Sequence, residues 1–373
     1  MAATMPQENM RGLWVVRHSI TSPQQIDELL QDASRWGITD LFVQVRGRGD
    51  AYYRSRLEPR APGISDSLFD PLGYLLQQNQ HRKIRIHTWI NLFYVWSSDS
   101  LPADSNHVVR RHPEWLAGPL EDPDFLAHYP ASMKKANSEG LFLSPLHPRA
   151  QQYLKSVVGD LLQQYAVDGL HLDYIRYPNR NFDLNSLSRA GYRQRYILDP
   201  LEFLREPAHF AEAYGITGYE VFSGQWNRYL RDGLSEFVGE LCSDVRRQFP
   251  DVLISAAVKP EFPAARWEFY QDWPRWLQSG WLDFAVPMNY TPDNAVFKSR
   301  LRSYLDRLQP KNYLVGLALY NQPPEKSIPK IAQVASLEQS TGFVLFSYSQ
   351  LKQQPKVMRF LEYQGNRPEN NSK

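Results

Sequence analysis

The sequence predicts an α/β fold of the (β/α)8 (TIM) barrel class, with long insertions after its third and fourth strands. Three observations predict it. Short runs rich in Val, Ile, Leu and Phe recur eight times along the chain, a longer amphipathic stretch follows each of them, and no linker, low-complexity tract or repeated block interrupts the series. A strand-then-helix alternation repeated eight times closes into a parallel barrel with its helices outside. The chain has 373 residues, 42% of them hydrophobic and 13% aromatic, which is enough to fill one large barrel domain.

In chain order the expected strands are LWVV (13–16), LFVQV (41–45), IRIHTWI (84–90), GLHLDY (169–174), LISAAV (253–258), FAVPMNY (284–290), LVGLAL (314–319) and GFVLFS (342–347). The helices that follow them are expected over 24–36, 68–80, 149–165, 225–248, 266–278, 294–308, 328–339 and 355–363. Residues 1–10 and 364–373 are polar and without periodicity, so disordered ends flank one domain over 11–363. A doubly wound sheet is the competing architecture, but the phosphate fingerprint it often carries is missing. Gly47-Arg48-Gly49-Asp50 is too short a match for one, and the Arg48-Gly49-Asp50 tripeptide is a chance resemblance to an adhesion motif.

With 42 Lys and Arg against 40 Asp and Glu, the formal charge is +2, which lacks the basic excess of a nucleic-acid or anionic-membrane binder. The single cysteine, Cys242, excludes an internal disulfide and reads as a buried, inert thiol in a helix. The first twelve residues have no apolar run for a signal peptide, and no segment approaches the roughly 18 apolar residues of a membrane span. The expected address is cytoplasmic by default, although export after removal of a leader would leave the same sequence.

Two connections, 92–143 and 178–225, far exceed an ordinary strand-to-helix loop. Both follow strands, so both belong at the C-terminal face of the barrel, where they should wall a cleft. Their Tyr94, Trp96, Trp115, Tyr192 and Tyr196 suit stacking on sugar rings and equally suit small local cores.

Strand side chains alternate between the helix layer and the barrel interior. With Leu170 and Leu172 outward, His171 and Asp173 point inward. The same parity turns Gln44 and Arg46 inward in strand two, His87, Trp89 and Asn91 in strand three, and Ser255, Ala257 and Lys259 in strand five, with Glu261 just beyond. A structural barrel fills these layers with aliphatic residues, so a polar interior on four consecutive strands is the chief functional signal. An inward Asp at a strand's C-terminal end is costly to desolvate unless it is paired or used. Strand six ends in Met288-Asn289-Tyr290 with its parity open, while Arg17, His18, Tyr320, Asn321 and Tyr348 end other strands as mouth or rim residues. No HExxH, HxH pair or GxSxG elbow is present, so neither a metal, a cofactor nor a serine triad is expected.

The run DGLHLDYIRYP at 168–178 resembles the signature of the glycosyl-hydrolase-like family 10 proteins, bacterial barrels regarded as glycosidases. RGLWVVRHS, LFVQVRGRGDAYYRS, FDPLGYLL, IHTWINLFYVWS and RRHPEWL agree with it, and the likeness covers nearly the whole chain, over 11–360. It implies hydrolysis of O-glycosidic bonds in a polysaccharide or oligosaccharide. The family 18 chitinases are a more distant likeness, with DGxDxDxE in strand four and MxYD in strand six. Asp168, Asp173 and the run from Met288 to Tyr290 match, but His171 replaces an Asp and Ile175 stands in place of the catalytic Glu. That departure makes Asp173 the leading acid. Enzymes that cleave deacetylated poly-β-1,6-glucosamine share a similar barrel, which implies an amino-sugar polymer as a substrate class.

Glycoside hydrolysis needs two carboxylates about the scissile bond. Asp173 is expected to supply one and Glu261, on the neighbouring strand, the other, with Asp50 as a ligand to a sugar hydroxyl. Trp89, Asn91 and Tyr290 are expected to hold the ring, and Arg46, His87 and His171 to orient the carboxylates. Arg48, Arg176, Tyr177, Lys259 and Asn289 complete the expected substrate-binding set. Two other readings stay open: a carbohydrate-binding barrel without turnover, and a Schiff-base enzyme using Lys259.

Overall fold

A parallel sheet buried on both faces requires nearly continuous apolar strands, and the eight barrel strands have them. A computed structural model describes residues 10–122, 124–309, 312–337 and 342–365. The strands are β1 (Met10–Val15), β2 (Asp40–Arg46), β3 (Arg85–Asn91), β4 (Gly169–Asp173), β5 (Leu253–Val258), β6 (Phe284–Pro287), β7 (Val315–Ala318) and β8 (Gly342–Phe346). They run parallel in the order β6-β5-β4-β3-β2-β1-β8-β7. Isolated parallel bridges from Ala285 to Tyr313 and from Met288 to Gly316 join β6 to β7 and close the barrel.

The outer layer comprises α1 (Pro23–Arg35), α2 (Pro71–Asn79), α3 (Pro148–Gln164), α4 (Pro207–Gln248), α5 (Trp273–Gln278), α6 (Asn294–Arg307), α7 (Pro324–Ala335) and α8 (Pro355–Gly365). Ser22, Asp70 and Asp293 cap α1, α2 and α6 by accepting backbone N–H groups, and proline occupies the first turn of most of these helices, where its missing N–H costs nothing. One apolar core lies between strands and helices, and a second fills the barrel interior around Trp14, Phe42, Trp89 and Phe284.

Several expected boundaries move. Met10, placed by its sequence in a disordered end, begins β1 and is buried, while α8 extends to Gly365; residues 1–9 and 366–373 lie outside the described residues. The helix expected over 225–248 is the second part of α4, which starts at Pro207 and bends at Gly215 (φ 79°), a backbone angle that glycine adopts without strain. The stretch expected as one helix over 266–278 divides into a short helix at Phe262–Glu268 and α5.

The insertions have structure of their own. In the first, Tyr94–Trp96 pairs antiparallel with Leu141–Phe142, and short helices lie at Val108–Arg111 and Ala131–Lys135. The second carries helices at Ser186–Tyr196 and Pro200–Leu204. Buried Asp183 clasps one to the other, accepting from the Ser144 and Ser188 hydroxyls and from Asn185 Nδ2 at 2.7 Å. Among the described residues, no helix is long and apolar enough to cross a membrane.

Candidate active site

Equal parity along a strand does not mean equal height, because each inward step climbs about 6.6 Å. His87 therefore lies two such steps below Asn91. Its Nε2 sits 2.9 Å from Asp40 Oδ1, its ring stacks on Phe42 at 4.5 Å, and Arg85 holds the same carboxylate at 2.7 Å. A Cβ on Gly169 would meet His87 Nδ1 at 2.1 Å, so the glycine of strand four makes room for this ring. His87 is a floor residue of the barrel, fully buried and outside the cleft lining.

His171 occupies the middle layer. Trp14 Nε1 donates to its Nε2 at 3.1 Å, which leaves the ring proton on Nδ1, 2.9 Å from Ser255 Oγ. Full burial, with His87 nearby, holds its pKa well below the ordinary histidine range, so the imidazole is neutral. It lies one inward step below Asp173 on β4, outside the cleft lining.

Above this layer opens a cleft of about 520 Å³ at the C-terminal end of the strands. Asp173 enters it from the end of β4, buried, with the Tyr174 N–H donating to Oδ1 at 2.7 Å. Burial pushes its carboxyl up to about 6, against the pull of the Tyr174 N–H, Arg176 and Lys259. Lys259 enters from β5 with Nζ 4.2 Å over the Phe269 ring, and burial beside Arg176 lowers its amine to about 8. Arg176 lies over the Tyr174 ring at 4.7 Å and donates to Glu139 Oε2 at 2.6 Å.

Trp89 and Tyr290 line the cleft as expected, and so does Asn91, whose amide is already engaged. Asn91 Oδ1 accepts from Trp89 Nε1 at 2.9 Å and from Gln44 Nε2 at 3.3 Å, and its Nδ2 donates to the Gly47 carbonyl at 2.7 Å. Asn91 thus braces Trp89. Tyr290 packs edge-on to Trp14 at 6.1 Å and settles the parity of the sixth run: Tyr290 faces in, and Asn289 faces α6, donating to the Phe297 carbonyl at 3.3 Å.

Five other expected site residues lie outside the cleft lining. Arg46 is turned away by a bulge between Gln44 and Arg46, which pairs Arg46 with outward-facing Ile90. It forms a fully buried ion pair with Glu58, with Nε 2.8 Å from Oε2, and donates to backbone carbonyls of Asn91 and Leu92. Asp50 closes its own turn by accepting the Arg48 N–H at 2.8 Å, and Arg48 ties that turn to the first insertion through Ser98 Oγ at 2.7 Å and the Trp96 ring. Tyr177 is wholly buried against Tyr270, because Tyr174 (φ 52°) ends the strand alternation before it. Glu261 lies past the Pro260 turn on the outer surface, half exposed and paired with Arg300 at 2.6 Å, outside the lining of the cleft that holds Asp173.

Glu139 is a cleft carboxylate that strand parity could not find, since it sits in the first insertion. Its one sequence signal is the turn Asn137-Ser138-Glu139-Gly140 before a short apolar run. Arg17, which donates to Gln44 Oε1 at 3.0 Å, and Tyr174, stacked on Tyr94 at 4.5 Å, also line the cleft. Among the described residues, no three His, Cys, Asp or Glu side chains converge as a metal site.

The buried carboxyl at the top of β4 lies within a family match. A family model described as "Glycosyl hydrolase-like 10" matches residues 9–336. The chain belongs to the glycosyl hydrolase-like 10 family. Within reach of this family, the chain is 20% identical to glycosyl hydrolase YngK of Bacillus subtilis (strain 168) over 95% of its own length and 71% of that protein's. It is 22% identical to glycosyl hydrolase DigH of Escherichia coli (strain K12), over 76% of this chain and 66% of that one, so it spans about two thirds of these relatives. Among solved structures, the PgaB (BpsB) glycoside hydrolase domain from Bordetella bronchiseptica aligns with a TM-score of 0.60 at 14% identity, covering 96% of this chain and 98% of that one. The catalytic domain of a β-amylase from Paenibacillus polymyxa aligns at 0.58 and 13%, covering 98% and 100%. At such identity these structures establish the barrel fold alone.

Proposed function

We propose that this member of the glycosyl hydrolase-like 10 family hydrolyses O-glycosidic bonds of a polysaccharide or oligosaccharide, with Asp173 as the general acid. The observation that carries the reading is Asp173 itself, a buried carboxyl aimed into an aromatic-walled cleft and held about two pH units above an ordinary aspartate, which keeps part of it protonated near neutrality. Trp89 and Tyr290 offer faces for the sugar, Lys259 and Arg176 offer cations beside the reacting bond, and the neutral His171 holds the floor without competing for the proton. Amino-sugar glycans are the substrate class favoured by the likeness to barrels that cleave poly-β-1,6-glucosamine.

The test is a turnover screen of the purified protein against glucosamine, N-acetylglucosamine, glucose, galactosamine and peptidoglycan-derived oligosaccharides, with Asp173→Asn alongside. Cleavage by the wild type alone is the expected result. Glycan binding by both proteins with cleavage by neither would replace the hydrolase with a carbohydrate-binding barrel.

A further inference from the structure

We propose that Glu139 is the second catalytic carboxylate of this cleft, the general base that activates water, and that the first insertion, rather than a barrel strand, delivers it. The inference rests on the glycosidase reading of the same site. Of the described residues that line the cleft, Asp173 and Glu139 are the two acids. The other acids near the mouth stand outside the cleft lining: Glu58 is buried against Arg46, Asp50 closes its own turn, and Glu261 pairs with Arg300 on the outer surface. Asp173 also feels the charge of Glu139, and Lys259 feels both.

The local structure aims Glu139. Asn137 (φ 51°) and the Ser138 hydroxyl, which donates to the Gly140 carbonyl at 2.7 Å, form the turn that presents it. A Cβ on Gly140 would meet the Trp96 carbonyl oxygen at 2.0 Å, so only glycine lets the returning chain pass that close to the outgoing strand of the insertion. Tyr94 of that strand stacks on Tyr174, next to Asp173 in the chain, which seats the ribbon on the barrel mouth. Arg176 holds one carboxylate oxygen at 2.6 Å while the side chain remains 50% exposed, orienting Glu139 yet leaving it open to water.

The step balances. Asp173 gives its proton to the glycosidic oxygen as the bond from C1 to that oxygen breaks. The oxygen of a water bonds to C1 as Glu139 takes one of its protons. Glu139 then releases that proton to solvent and Asp173 regains one, leaving two sugar ends in place of one bond and one water.

The experiment compares wild type, Glu139→Gln and Glu139→Ala on the glycan that the wild type cleaves, with and without azide, reading kcat, the pH profile of kcat/KM and products by mass spectrometry. Glutamine keeps an oxygen to accept from Arg176, so it preserves positioning and removes the base. The expected result is a loss of about 100-fold or more in kcat for both variants, loss of the acidic limb of the pH profile, and azide rescue of Glu139→Ala with a glycosyl azide as product. Glutamine activity within about threefold of wild type would overturn the assignment, and so would activity lost in both variants without any azide product, which makes Glu139 a positioning residue for Arg176. A wild type that binds glycans and cleaves none removes the glycosidase reading and this inference with it; wild-type turnover with an unaffected glutamine variant removes this inference alone.

Discussion

Replacing Asp173 by asparagine should abolish turnover and, at neutral pH, make the protein more stable. An ordinary aspartate titrates near 3.8, whereas burial holds Asp173 at about 6. Between about pH 4 and pH 6 the folded protein therefore keeps a proton that the unfolded chain has released, so stability falls as pH rises through that window. The penalty is complete above it. At 1.36 kcal/mol per factor of ten, the displacement amounts to about 3 kcal/mol as an upper figure. Asparagine does not titrate, nearly matches the shape, and keeps an oxygen for the Tyr174 N–H. Its advantage over the wild type should grow by about 2 kcal/mol from pH 4 to pH 8. Buried Asp183, also raised to about 6, titrates in both proteins, so its contribution cancels in the difference. Urea midpoints of both proteins at the two pH values measure the change. A difference independent of pH, or one that favours the wild type as pH rises, would refute a desolvated acid at the top of β4.

Three other outcomes test separate parts of the structure. The kcat/KM of the wild type should fall about tenfold per pH unit above about pH 6, because the acid must carry its proton, and Lys259→Met should move that limb to higher pH by removing a cation that favours the carboxylate; a limb that stays in place would disconnect the two groups. Glu261→Gln should leave turnover unchanged and cost at most about 1 kcal/mol in a thermal or urea melt, since it removes a half-exposed ion pair with Arg300; a large loss of kcat would return Glu261 to the site. Arg46→Ala should destabilise by about 3–5 kcal/mol, because it strands Glu58 fully buried, whereas loss of substrate affinity in a protein of unchanged stability would show that Arg46 reaches the cleft after all.

Strand parity was a reliable guide wherever the alternation ran unbroken, and it failed at the places where the backbone left it. Trp89, Asn91, Asp173 and Lys259 all line the cleft as their positions predict, because three residues of β3 and β4 and the end of β5 keep regular register. Arg46 follows a bulge, Tyr177 follows a residue at positive φ, and Glu261 follows Pro260, so their side chains point elsewhere. His87 and His171 do point inward, but their depth along the barrel axis places them in the floor, a distinction that an alternation of period two does not contain.

The amino-acid sequence by itself determined the eight strand-helix units, the parallel barrel they form and the strand-end carboxyl at Asp173, because hydrophobic periodicity and alternation are local properties of the chain. Only the tertiary structure decided that Glu139 lines the same cleft as Asp173. Glu139 lies in the first insertion and Asp173 at the end of β4, and what joins them is an antiparallel ribbon at Tyr94–Trp96 and Leu141–Phe142, a stack of Tyr94 on Tyr174, and an ion pair of Glu139 with Arg176. Each is a contact between residues distant in sequence, which no local pattern records.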